Sequence, residues 1–426
     1  MIHGLWGAPK HLSYIASQLR AHTSAHILVA KTNSNNLTYD GIDLGAERVL
    51  EEIENYIQHL LEQGKHVRKL SIVGYSLGGL IARYVVGLLY ARGFFIKIRP
   101  VNFTTFATPH LGVRTPVTSF FSRLFNFLGS STLSLSGRQL FTVDSFRDSG
   151  VPLLCVLADP TTIFMHGLKL FKHRVLYANI INDRSAPYYT TSISVSDPYV
   201  NLENVKLNYL PNYSPNILDP ARPFEVVPEP AQVPFVTRII AKSQSLLPQL
   251  PWFFFFSFVI ALGLPLFLCN AVVQSVRSSR RIKLYEEGRD SASLNYRTSL
   301  MIENVQHAAD GALNDVRVQT RSPEISSDSL AHDGFGTQNR STTKDPTMVK
   351  PGEKIRQIES LPLSQEQLIM IRNLDEAGFR KYRVHIHKAR HSHAAIIVRP
   401  RPAGEKAFGE GKIIVKHWLE EELEMP

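Results

Sequence analysis

Five residues, Gly74-Tyr75-Ser76-Leu77-Gly78, constrain this chain more than any other stretch, because they join a short apolar run to a helical pattern. Leu70, Ile72 and Val73 supply the run. From Leu77 onward, Leu80, Ile81, Tyr84, Val85, Leu88 and Leu89 recur at three- and four-residue spacing, as one apolar face of a helix requires. G-x-S-x-G in that setting predicts a nucleophile elbow. The serine stands on a sharp strand-to-helix turn, and a Cβ at either glycine would collide with neighbouring backbone.

The surroundings of the elbow read as α/β. Residues 1 to about 110 alternate apolar runs (His26 to Lys31, Leu70 to Val73, Ile96 to Ala107) with helical patterns. Between the first two runs, Leu50, Ile53, Ile57, Leu60 and Leu61 form a buried stripe, while Glu51, Glu52 and Glu54 face water. Right-handed crossovers then make a mostly parallel, doubly wound sheet the expected architecture. From 113 to about 150 the sheet pattern stops, but Phe120, Phe121, Leu124, Phe125 and Leu128 repeat at helical spacing. That aromatic face suits either an additional core helix or a lid over the site. An apolar run at 173–181 predicts another strand, ending at Asn182-Asp183.

Beyond residue 200 the character changes. Residues 201–250 are rich in Pro and Asn and predict an irregular excursion from the core. Trp252 to Val276 carries no charge and is followed at once by Arg277, Arg280, Arg281 and Lys283. About 20 apolar residues suffice to span a bilayer, so a membrane segment is expected at 252–276. Residues 287–350 are Ser-, Thr-, Asp- and Arg-rich with few large apolar side chains, a composition that predicts a disordered linker. Order resumes at Ser364-x-x-Gln367, a capping box before Leu368, Ile369, Ile371 and Leu374, with Gly378 at the helix stop. A strand candidate at Tyr382 to Lys388, an apolar run at Ala394 to Val398 and a helix at Ile413 to Glu422 complete the chain.

Composition narrows the function classes. A chain of 426 residues with 44% hydrophobic content can build a substantial core. Its formal charge of +10 comes from scattered Lys and Arg rather than a basic and aromatic stripe, which argues against nucleic acid and for an anionic membrane surface. Two cysteines, Cys155 and Cys269, are too few for a disulfide framework, so reducing surroundings are expected. No basic region followed by an apolar stretch opens the chain, and no signal peptide is expected.

A serine hydroxyl is a weak nucleophile at neutral pH and needs an imidazole base held by an acid. In elbow-bearing α/β folds the partners follow as Ser, Asp or Glu, then His. Asp183 closes the strand candidate at 173–181 and is the leading acid, with Asp159 and Asp197, both before prolines, as rivals. The C-terminal block offers His385, His387, His391 and His393. His385 and His387 alternate within the strand candidate and suit a sheet face. His393 adjoins the apolar run that would anchor it, with His391 the alternative base. With no carboxylate or cysteine nearby in the block, the four histidines do not read as a metal site. For the oxyanion, one donor would be the Leu77 amide and the second the Leu5 amide, in the His3-Gly4-Leu5-Trp6-Gly7 loop. His3 lies on the wrong side of Ser76 in chain order and reads as a loop support.

HGLWG, TYDGID (Thr38 to Asp43), GYSLGG, FATPHLG (Phe106 to Gly112), ANIINDRSAPYYT (Ala178 to Thr190) and HSHAAIIV together resemble the serine esterase and lipase family that includes fungal lipid-droplet phospholipases. The resemblance covers 1 to about 200 and 364 to 420. It implies an α/β-hydrolase whose core runs over 1–200, with a possible lid at 113–150, and resumes at 364–426 with the catalytic histidine. It implies hydrolysis of acyl esters in membrane lipids, with Ser76, Asp183 and His393 at the triad positions and no metal or organic cofactor. Members normally carry a hydrophobic strand before H-G-L-W-G, whereas this chain begins at Met1-Ile2, so a catalytically impaired binding protein on the same scaffold is the alternative expectation. A neutral-lipid or thioester hydrolase is the alternative within enzymes.

If His393 serves Ser76, both halves of the chain lie on one side of a membrane, and a single span between Asp183 and His393 is excluded. The segment then enters and leaves by one face as a hairpin or lies in the interface, and Gly263 and Pro265 near its middle favour the hairpin's bend. Each arm of about 12 residues would reach roughly 18 Å, the depth of one leaflet. The expected setting is an endoplasmic-reticulum or other intracellular membrane, or a lipid-droplet surface, with the catalytic domain cytosolic.

Overall fold

A computed structural model describes residues 1–117, 119–147, 149–227, 250–287, 360–401 and 408–424. Its strands are β1 (Lys69–Tyr75), β2 (Arg99–Phe106), β3 (His173–Asn179), β4 (Val205–Leu207), β5 (Phe224–Val226) and β6 (Arg380–Val384). The principal helices are α1 (Ser13–His22), α2 (Ile42–Glu62), α3 (Leu77–Ala91), α4 (Phe120–Thr132), α5 (Ser134–Leu140), α6 (Leu250–Glu287), α7 (Gln365–Asp375) and α8 (Gly409–His417). β1, β2, β3 and β6 form one parallel sheet in that order.

Alternation along the strands decides which helices cover which face. Val73, Tyr75, Phe106, Val175, Tyr177 and Val384 pack with Ile15 and Leu19 of α1, Ile414 and Val415 of α8, and Trp418. On the other face Ile72, Phe103, Leu176 and Ala178 meet α2, α3 and α7 through Leu50, Leu80, Val85, Met370 and Leu374. The chain is therefore an α/β structure with helices on both faces. Register aligns the strand ends, with Tyr75 opposite Phe106, Phe106 opposite Tyr177 and Asn179 opposite Val384. Loops leaving β1, β3 and β6 thus emerge along one edge, where ligands of open parallel sheets bind.

The expected strand at His26–Lys31 does not form. That segment lies alongside Met1 and Ile2, with the terminal amine donating to the Leu28 carbonyl at 2.7 Å and the Ala30 amide to the Met1 carbonyl at 2.9 Å. Among the described residues these contacts do not extend into a ladder. Ile2 makes a parallel bridge to Gly74, its amide donating to the Val73 carbonyl at 2.8 Å and its carbonyl accepting from Tyr75 at 3.0 Å. β6 stops at Val384, so His385 and His387 lie beyond the strand rather than alternating within it. Asn216 and Ile217 take over there: the His385 amide donates to the Asn216 carbonyl at 2.8 Å, and Ile217 bridges Val384. The residues 201–227, expected to be irregular, hold the antiparallel pair β4–β5 and cover the edge of β6 with fully buried Ile217 and Leu218.

The region 113–150 contains α4 and α5. Phe120, Leu124 and Phe127, spaced over two turns of α4, point outward, so α4 does not bury its aromatic face as a core helix would. The apolar segment is one continuous helix, α6, that runs through Pro265, and the expected hairpin is absent. A proline inside a helix removes one hydrogen bond and bends the axis, which a long run of helix-forming neighbours tolerates. Among the described residues no helix is long and apolar enough to cross a membrane; the side chains of 251–264 are outside that description. The linker expected at 287–350 lies outside the described residues apart from Glu287.

Candidate active site

Ser76 sits between the last residue of β1 and the first of α3 with φ 54° and ψ −128°, a left-handed backbone that a serine adopts only at a cost on the order of 1–3 kcal/mol. Glycines make the turn possible. A Cβ on Gly74 would stand 2.4 Å from the Gly79 Cα, and one on Gly78 would stand 2.2 Å from the Ile2 carbonyl oxygen. The turn aims the Ser76 hydroxyl at His393, whose Nε2 lies 2.9 Å from Oγ. On the far side of the ring, Nδ1 lies 2.9 Å from Oδ2 of Asp183. With Nδ1 donating to the carboxylate, Nε2 is free to accept the Ser76 proton, the tautomer a general base needs.

The acid is built into its loop. Asp183 Oδ2 also accepts from the Asn179 side-chain amide at 2.9 Å, and Oδ1 accepts from the backbone amides of Ser185 and Ala186 at 3.0 and 2.9 Å. Burial alone pushes this carboxyl up, but the neighbouring His393, its hydrogen bond, and the Ala186 and Asn179 donors outweigh it and hold Asp183 below its ordinary value. The carboxylate therefore stays charged beside the imidazole. His393 is carried on the short helical turn Ser392–Ala395. Ser392 fixes that turn by donating its hydroxyl to the Ile181 carbonyl at 2.8 Å, and the Tyr75 phenol donates to the His393 carbonyl at 2.9 Å.

The three rivals fall elsewhere. Asp159 closes its own turn, accepting from the Thr161 amide and hydroxyl at 2.8 and 2.7 Å, and His391 is exposed just before the helical turn. Asp197 accepts from the Tyr199 amide at 3.0 Å. His385 meets the Tyr209 phenol at 2.7 Å, and His387 pairs with Glu410 at 2.9 Å. That carboxylate is 23 residues down the chain, beyond the reach of a reading confined to nearby positions. Among the described residues, no three histidine, cysteine or carboxylate side chains gather as a metal centre would require.

The loop His3–Gly7 presses against Ser76, for a Cβ on Gly4 would lie 2.7 Å from the Ser76 Cβ and 3.1 Å from its Oγ. His3 supports the loop from behind, with Nδ1 3.1 Å from the Gly4 carbonyl and Nε2 3.2 Å from Ser34 Oγ. The Trp6 amide donates to Thr38 Oγ1 at 3.0 Å. Leu5 lies between these tethers, and Leu77 opens α3. Tyr75, Asn179 and Ser392 are the contributors that sequence reasoning missed. Asn179 carried a signal, being an amide four residues before Asp183 at the end of an apolar run.

Comparison with known proteins bears on this arrangement. Residues 1–196 match the family model described as Putative serine esterase (DUF676). Curated proteins similar to this chain include Putative lipase ROG1 of Saccharomyces cerevisiae, 36% identical over 173 residues, which are 40% of this chain and 24% of the relative. Putative lipase C4A8.10 of Schizosaccharomyces pombe is 35% identical over 131 residues, 30% of this chain and 16% of the relative. Putative lipase YDL109C of Saccharomyces cerevisiae is 33% identical over 134 residues, 31% of this chain and 20% of the relative. The matched stretches thus span at most 24% of these relatives' lengths.

Proposed function

We propose that this chain is a serine-dependent lipid acyl hydrolase of the α/β-hydrolase type, a phospholipase working at the surface of an intracellular membrane or lipid droplet with its catalytic domain in the cytosol. The reading rests on one observation above all: the continuous line from Asp183 through His393 to Ser76, with both contacts at 2.9 Å and the serine on a strained elbow. In this reading Ser76 Oγ attacks the acyl carbonyl while its proton passes to His393 Nε2. The Leu77 and Leu5 amides receive the oxyanion. The imidazolium, steadied by ionised Asp183, then protonates the departing alcohol, and a water activated by the same nitrogen releases the fatty acid.

Two things support a lipid as the ester's bearer. The relatives carry the word lipase in their names. Helix α6 also has its sides reversed for a soluble protein, since Ala271, Gln274 and Ser278 are buried against the domain while Leu266, Val272, Val273 and Val276 face outward. Such an apolar face, followed by Arg277, Arg280 and Lys283 in a chain of net charge +10, suits acyl chains below anionic phosphates. The test is fatty-acid release from phosphatidylcholine, phosphatidylethanolamine, triacylglycerol and a palmitoyl thioester, comparing the native chain with Ser76→Ala. Release from phospholipid that Ser76→Ala abolishes is expected. Release from triacylglycerol or thioester alone would move the substrate assignment to that class.

A further inference from the structure

The motif Thr38-Tyr39-Asp40-Gly41-Ile42-Asp43 has no part in the chemistry above, yet its Asp40 is a fully buried carboxylate between two arginines. Its side chain is 0% exposed and faces two guanidinium groups. Arg48, on α2, lies 2.9 Å from Oδ2. Arg281, on α6, donates from Nε to Oδ2 at 2.9 Å and to Oδ1 at 3.2 Å, and from Nη2 to Oδ1 at 2.6 Å and to the Asn36 carbonyl at 3.1 Å. This is a forked, charge-assisted grip of the kind that only arginine makes.

What Arg281 holds leads to the loop beside the nucleophile. Asp40 ends the 3-10 turn Asn35–Tyr39, and that turn tethers the loop at two points. Thr38 Oγ1 accepts the Trp6 amide at 3.0 Å, and the Asn35 amide donates to the Gly7 carbonyl at 2.7 Å. Trp6 and Tyr39 rings add a contact with centroids 6.4 Å apart. Leu5 sits between Gly4, which touches Ser76, and Trp6, which is bound to the turn. A shift of the turn therefore moves the Leu5 amide. The same helix turns its apolar side outward, so its seat on the domain is exposed to whatever covers that side.

We propose that Arg281 is a positioning residue: through Asp40 and the 3-10 turn it holds the Gly4–Trp6 loop in its oxyanion-binding position, so that the seating of the lipid-facing helix α6 regulates the Ser76 site. The proposal rests on the reading of Ser76 as nucleophile. Contact of α6 with a lipid surface then stabilises the seated helix and with it the donor geometry, while an unseated helix leaves the elbow intact and the oxyanion donor misplaced.

The test uses the full chain, with Arg281→Gln, Arg281→Lys and, as a control on helix charge, Lys283→Gln, whose exposed ammonium pairs with Glu287. Two readouts are taken: kcat and KM for a soluble p-nitrophenyl ester, and amide hydrogen exchange over residues 3–7. Losing well-placed oxyanion stabilisation lowers kcat with little change in KM, so Arg281→Gln should reduce kcat about tenfold. Faster exchange at Leu5 and Trp6 should accompany it. Arg281→Lys, which keeps the charge but not the fork, should fall between, and Lys283→Gln should match the native chain. Unchanged loop exchange and kcat in an Arg281→Gln protein that melts lower would make Arg281 merely structural and overturn the proposal. An inactive native chain would instead overturn the reading of Ser76, and the exchange readout would still decide whether Arg281 holds the loop.

Discussion

At the residue scale, the balance on Asp183 shows how a buried carboxylate is kept charged. Four donors surround it: the imidazole, the Asn179 amide and two backbone amides. Asp183→Asn would offer the ring the wrong partner and the wrong tautomer, so kcat for ester hydrolysis should fall by roughly 1,000- to 10,000-fold. Asp159→Asn should leave the rate within about twofold of native, because its contacts stay within its own turn. Steady-state kinetics on a soluble ester checks both. Asp144 is the opposite case. Burial pushes its carboxyl up to about 6, outweighing the backbone amides of Leu153 and of Asp144 itself. Because the folded state favours the protonated acid, that contribution is fully present below the ordinary value of 3.8 and is lost as pH rises through about 6. Asn can accept the same hydrogen bond without ionising. Asp144→Asn should therefore raise stability by about 1–3 kcal/mol at pH 8 and change little at pH 4, as measured by thermal melting. Legibility differs among these residues for physical reasons. Ser76 is legible because strand, turn and helix signals are all local to it. His391 and His393 differ by two positions, and spacing alone does not separate them; the helical turn at Ser392–Ala395 aims His393 at Ser76 and leaves His391 exposed.

At the scale of elements, the instructive case is a helix that disobeys the usual pattern. α6 buries Gln274 and Ser278 and turns valines outward, while neighbouring α4 exposes Phe120 at 73% and Phe127 at 67%. The two helices pack against each other. Phe120→Ser combined with Phe127→Ser should reduce binding to vesicles of mixed phosphatidylcholine and phosphatidylserine by at least about tenfold, since two buried phenyl rings account for several kcal/mol of transfer free energy. Sedimentation with the vesicles measures it, and undiminished binding would remove α4 from the lipid-facing surface. Most elements follow from periodicity: β1, α2, α3 and α7 lie where apolar spacing and the Ser364 cap put them. Failures came where tertiary neighbours decide. Residues 26–31 make isolated contacts with Met1 rather than a ladder, β6 ends early because Asn216 and Ile217 occupy its edge, and Pro265 does not reverse a helix that continues on both sides.

At the scale of the molecule, chemistry-bearing residues far apart in the chain meet because parallel strands bring their carboxyl ends to one edge. Ser76 and His393 are 317 positions apart, and Asp183 and His393 are 210 apart. β6 laid beside β3 closes that distance, and Trp418, fully buried against Phe106, locks the C-terminal block to the sheet. A sequence reading reaches this meeting only through chain order, because no local pattern encodes which late histidine returns to an early serine. The central claim is that the assembled line makes Ser76 a nucleophile, and a fluorophosphonate probe with mass-spectrometric location of the adduct tests it most directly. The account predicts a single adduct on Ser76 in the native chain, absent from Ser76→Ala and strongly slowed in His393→Ala. A folded native chain that takes no adduct, or takes it at another residue, would contradict it.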